Sequence, residues 1–108
     1  MSKYMVQASY TADGVKGLTK DTASGRTAAV AKAIASLGGK LENMYFSFGE
    51  FDVVAIADFP DNAAAARFAL RAAATGQVHV KTTPLLTAEE VDKALQRKVD
   101  YRAPGLKS

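Results

Sequence analysis

Residues 3 to 11 alternate, with Tyr4, Val6, Ala8 and Tyr10 on one side and Met5, Gln7 and Ser9 on the other. This two-residue period predicts a first strand with one face buried. Asp13-Gly14 ends it, and the period then changes. Val30, Ala33, Ile34 and Leu37 recur at helical spacing, so the next element is a helical region running to Leu37. Ser24-Gly25 predicts a break within it, with Ser24 capping the fresh start. Gly38-Gly39 supplies the left-handed backbone that stops the helix.

Two apolar runs follow, Lys40 to Phe48 and Phe51 to Phe59, separated by Gly49-Glu50. A two-residue loop with glycine first predicts a type II′ hairpin. That turn fixes a register in which Phe48 faces Phe51, Ser47 faces Asp52, Phe46 faces Val53, Tyr45 faces Val54 and Met44 faces Ala55. One face of the hairpin is then Met44, Phe46, Phe48, Phe51, Val53 and Ala55. The other mixes Leu41, Asn43, Tyr45, Ser47, Asp52, Val54, Ile56 and Asp58.

Pro60-Asp61-Asn62 punctuates the chain and caps an alanine-rich helix anchored by Phe68 and ended by Gly76. Gln77 to Thr83 alternates again and reads as a fourth strand. Thr87-Ala88-Glu89-Glu90 is a capping box opening a last helix with Val91 and Leu95 as its apolar contacts. From Tyr101, with Pro104 and Gly105, the chain reads as frayed or open to a neighbouring subunit. A single domain over residues 1 to 98 and a flexible tail over 99 to 108 are expected.

The order strand, helix, strand, strand, helix, strand predicts an α+β ferredoxin-like βαββαβ sandwich with an extra C-terminal helix, strand order 4-1-3-2 and both main helices on one face. The opposite sheet face carries Met5, Leu41, Tyr45, Val54 and Ile56, an apolar set to leave in water. A second copy packed face to face covers it, giving a homodimer of the dimeric α/β barrel type, open to higher oligomers.

Composition narrows the chemistry. The 108 residues are 48% hydrophobic, enough for one real core. There is no cysteine and only one histidine, His79, which removes thiolate chemistry, a disulfide framework and a multi-histidine metal site within one chain. No metal and no cofactor is expected. The N-terminus lacks a long apolar run, so neither a signal peptide nor a membrane span is expected, and a cytoplasmic location follows. The net charge is +3, but Lys93, Arg97, Lys98, Arg102 and Lys107 against Asp100 give the C-terminal part +4 and leave −1 for the rest. A body without a basic stripe argues against nucleic acid as a partner.

Taken with Tyr10-Thr11, Gly14, Leu18, Ser24-Gly25-Arg26, Ser36 to Leu41, Tyr45-Phe46, Pro60-Asp61 and Leu85-Leu86-Thr87, the segment Gly49-Glu50-Phe51-Asp52 resembles the GYD domain family. The resemblance spans about Lys3 to Leu95. It implies a fold related to the dimeric α/β barrels, and because the family is one of unknown function it implies no reaction. Phe51 stands where the family name places tyrosine, which removes a phenol; the register expects its ring in the core.

The topology expects the end of the first strand to meet the start of the third, bringing polar groups together on the bare sheet face. The candidate ligand-binding residues there are Gln7, Ser9, Tyr45, Ser47, Asp52 and His79, with Tyr10 added at the end of the first strand. Arg26 is expected to reach over the sheet edge to Asp52 or a bound anion, or to lie on a solvent-facing helix surface. Asp52 and His79 are the catalytic candidates, as proton-exchanging groups. Asp52 has an equally ordinary role available, accepting backbone hydrogen bonds beside a turn. Two functions stay open: a small-molecule-binding or assembly module, with itself and a small organic ligand as partners, and a cofactor-free enzyme in the style of barrel monooxygenases or isomerases.

Overall fold

A computed structural model describes residues 1–107. Among them lie strands β1 (Ser2–Tyr10), β2 (Lys40–Phe46), β3 (Val53–Phe59) and β4 (Val78–Leu85), and helices α1 (Ala12–Ser36), α2 (Asn62–Ala74) and α3 (Ala88–Leu95). The strands form one antiparallel sheet in the order β2-β3-β1-β4, an α+β arrangement with the strand order of a ferredoxin-like fold. Pro84 is tolerated in β4 because that strand is an edge.

Large side chains gather at one end of the sheet. Tyr4 from the start of β1, Ala57 and Phe59 from the end of β3, Ile34 from α1 and Ala65 from α2 form the buried core, joined by Val30, Leu37, Leu41 and Phe68. Phe59 meets Tyr4 edge-on with ring centroids 5.6 Å apart and Phe68 at 5.9 Å, separations typical of favourable aromatic pairs. A Schellman motif closes α1 at this end: Gly38, at φ +80°, donates to Ala35 O and Gly39 to Ile34 O, both at 3.0 Å.

The other end of the sheet is held by backbone. Thr11 caps α1 by accepting the Gly14 N–H at 3.2 Å, and its own N–H donates to Gln77 O at 2.9 Å. Gly14 is buried there, so close to β4 that a Cβ would stand 2.1 Å from Gln77 O and 2.9 Å from a Tyr10 ring carbon. The start of α1 is therefore pressed against the start of β4.

Four sequence expectations change in α1 and the β2–β3 hairpin. The break in α1 falls at Thr22, not Ser24: Thr22 sits at φ 72°, ψ 161°, and its hydroxyl accepts the Gly25 N–H at 3.2 Å. A threonine at positive φ is strained by its branched Cβ, and the cap offsets part of that cost. The β2–β3 connection is a loop over residues 47–52, not a two-residue type II′ turn, because Gly49 does not take positive φ. Phe48, expected on the core face, is fully exposed in that loop. A register shift between Leu41 and Asn43 makes Glu42 the extra residue of a bulge and returns Leu41 to the helix face, where it packs on the core instead of the bare face.

Helix α3 has its capping box, Thr87 and Glu90 bonding reciprocally at 3.0 and 3.1 Å. It buries none of its residues, so Val91 and Leu95, expected as apolar contacts, face solvent at 41% and 77% exposure. The chain measures 59 × 31 × 22 Å with a radius of gyration of 17.4 Å, against about 13 Å for a compact domain of this length.

The glycine contacts give a matched pair of variants. Gly14→Ala is expected to lose about 1–3 kcal/mol, the cost of overpacking. Gly17→Ala, with open space around its Cβ, is expected to gain about 0.5–1 kcal/mol of helix stability. Urea unfolding of both proteins checks the opposite signs.

Candidate functional site

The helices diverge as they leave the core. Helix α1 lies over β2 and α2 over β4, and the two do not pack closely on each other. Between them, over the middle of the sheet, is a cavity of about 500 Å³. Its floor is Val6 and Ala8 of β1, Val53 and Ala55 of β3, and Val78 and Val80 of β4. Strand alternation sends these residues to the helix side, as the registers Val6 to Ala55 and Ala8 to Val53 and Val80 require. The walls are Ala29 and Ala33 of α1 and Phe68 and Ala72 of α2. Alanine lets the helices form without filling the space between them. The volume lies within the range of small-molecule sites, and the lining is mostly apolar.

Three cations line this cavity, Arg26 from α1 and Arg67 and Arg71 from α2, and no acidic residue does. Arg26 is half-buried and pairs loosely with Asp21 at 3.5 Å. Among the described residues, neither Arg67 nor Arg71 has a carboxylate partner. A smaller cavity of about 180 Å³ adjoins, sharing Tyr10, Arg26, Ala72, Thr75 and Val78 and adding Leu18 and Asp21. Sequence reading had not singled out Arg67, Arg71 or the cavity floor. The available signal was the spacing of Arg67 and Arg71 by four on an otherwise alanine-rich helix.

The residues singled out from sequence divide between the two faces. Gln7, Ser9, Tyr45 and His79 belong to the bare face, in a register that sets Gln7 and Tyr45 on either side of Val54 and Ser9 opposite His79. Tyr10 and Arg26 line the helix-side cavity instead. Asp52 lies at the junction. Its carboxylate accepts the Tyr10 N–H at 2.8 Å, and its own N–H donates to Ala8 O at 2.8 Å. No ion pair joins it to Arg26, whose carboxylate partner is Asp21. The hydroxyls of Ser9 and Ser47 are both committed to the 47–52 loop, donating to Glu50 O at 3.2 Å and Phe51 O at 2.5 Å. His79 is exposed.

A third group, missed in the sequence, sits at the far end of the bare face. Lys3 bonds Glu42 and also Asp58, its cross-strand partner, at 3.2 Å. The hydrogen bond that Lys3 donates to Glu42 is the largest influence raising the Lys3 pKa. For Asp58, desolvation pushes upward, but the bonds with Glu42 and Lys3 and the lysine charge together hold its carboxyl below the usual range. The bulge at Glu42 brings this side chain into reach, which local pattern does not reveal. Among the described residues no three His, Cys, Asp or Glu side chains gather as a metal site, and no helix is long and apolar enough to cross a membrane.

The contacts of Asp52 predict a structural consequence. Asp52→Ala leaves the Tyr10 N–H without its charged acceptor and is expected to lose about 1.5–3 kcal/mol, with Asp52→Asn losing less because an acceptor oxygen remains. Denaturant midpoints of the two variants against the parent measure this, and an Asp52→Ala protein as stable as the parent would contradict it.

No curated protein and no solved structure matches the chain. The GYD domain profile matches residues 4–95, which takes in all four strands save the first residues of β1, together with α1, α2 and α3. The chain belongs to the GYD domain family.

Proposed function

We propose that this protein is a small-molecule-binding module that works as a homodimer, holding its ligand in the cleft between α1, α2 and the sheet. The cavity itself carries the reading: about 500 Å³, floored by valine and alanine and open between two diverging helices. Left to water, such a surface forgoes about 25 cal/mol for each Å² of apolar area that a ligand would cover. The bare sheet face, with Met5, Tyr45, Val54 and Ile56, supports the dimer, its Tyr45 standing 65% exposed in the single chain. Face-to-face pairing of two such sheets gives the dimeric α/β barrel arrangement.

Ligand binding is tested with N-phenyl-1-naphthylamine, a neutral dye that brightens in apolar sites. The parent is expected to bind it saturably and to gain thermal stability as it does. Ala33→Phe, which places a ring in the cleft, is expected to abolish the signal while keeping the folded circular dichroism spectrum. A parent that leaves the dye dark excludes the cleft as an apolar binding site.

The dimer has its own test. Light scattering is expected to give twice the chain mass for the parent and a single chain mass for Ile56→Lys, which sets a charge in the middle of the proposed interface. A parent that stays monomeric at tens of micromolar, on the order of protein-interface affinities, removes the sheet-face dimer.

A further inference from the structure

The geometry points to an amphipathic anion as the ligand of this cleft: an apolar body with a single carboxylate or phosphate head. This rests on the cleft being the binding site and adds the chemistry of what fills it. Charge is the first observation. Arg26, Arg67 and Arg71 line one cavity with no acidic residue among its lining, while residues 1 to 92 as a whole sum to −1. The positive charge is therefore local to the cleft and not a spillover from a basic body.

Partnership is the second. Two of the three guanidinium groups have no carboxylate within ion-pair distance among the described residues, and the third holds one only at 3.5 Å. Arg67 and Arg71 are exposed at the edge of the cleft, where like charges four apart on a helix disfavour each other modestly, and a bound oxyanion relieves that. Arg67 and Arg71, four residues apart on one helix, present neighbouring side chains, and a guanidinium fork matches the paired oxygens of a carboxylate or phosphate. Arg26 approaches from the opposite helix. A head group held among these arginines leaves Val6, Ala8, Val53 and Ala55 as floor for an acyl or aryl body.

Isothermal titration of the full-length protein with decanoate, decyl phosphate and decanol separates head from body. Decanoate or decyl phosphate is expected to bind about tenfold or more tightly than decanol, the scale of a hydrogen bond to a charged group, and the tighter of the two identifies the head. The advantage is expected to shrink as salt is raised. The double variant Arg67→Gln, Arg71→Gln is expected to erase the advantage while decanol affinity and the ligand-free melting temperature stay unchanged. Equal affinity of all three probes for the parent overturns the anion assignment and leaves the apolar cleft standing. Failure of all three, with N-phenyl-1-naphthylamine also dark, overturns both.

Discussion

Both helices are pinned to the sheet by side chains that sit at one end of it, and where those side chains stop, the helices part. Phe59 is wholly buried and touches the rings of Tyr4 and Phe68, and Ile34 is nearly as buried beside them. Burying each such side chain stabilises by about 1.5–3 kcal/mol, so this cluster fixes the end of α1 and the start of α2 together. Beyond it the residues turned toward the sheet are Ala29 and Ala33 on α1 and Ala72 on α2. They are too short to bring the helices together over β1 and β3. The core at one end and the cleft beside it, over the middle of the sheet, are thus two results of one distribution of side-chain volume.

That division requires a different fastening at the open end, where little apolar mass is available. Backbone bonds supply it. Thr11 ties the start of α1 to Gln77, and the glycine at position 14 lets the helix come within reach of that carbonyl. Asp52 ties the loop after β2 to the end of β1 through Tyr10 and Ala8. A rim fastened by hydrogen bonds keeps its shape without filling the cavity it borders, which suits the ligand site proposed for it.

The sequence carries the strand order, through the order of its elements, and most of the hairpin register, because the 47–52 loop keeps equal numbers of residues on either side of Gly49-Glu50 even without the expected turn. Tyr45 to Val54 and Met44 to Ala55 are paired as the pattern requires. Capping signals were equally legible at Asp61 and Thr87, where the side chain and its target amide lie within three residues. What escaped depends on contacts distant in sequence. The 47–52 loop is shaped by Ser9 and by the Asp52 carboxylate reaching Tyr10, and nothing near Gly49 encodes them. The bulge at Glu42 interrupts the period for one residue and so moves Leu41 to the other face. The cleft was invisible for a related reason: an alanine stripe reads as close packing until the larger side chains elsewhere set how far apart the helices stand.

Strand alternation also separates the two proposed activities. Val6 and Ala8 floor the cleft, while Met5 and Gln7, their immediate neighbours in β1, belong to the face proposed to meet a second copy. β3 divides in the same way, Val53 and Ala55 against Val54 and Ile56. Any influence of ligand on assembly must therefore pass through the backbone of these two central strands. They are hydrogen-bonded on both sides, which resists the sliding or tilting such coupling needs. Asp52 is the exception, for it lies at the end of the sheet where the strands stop and bonds the amide of Tyr10, a residue of the cleft. Its carboxylate is thus the joint at which the two faces meet.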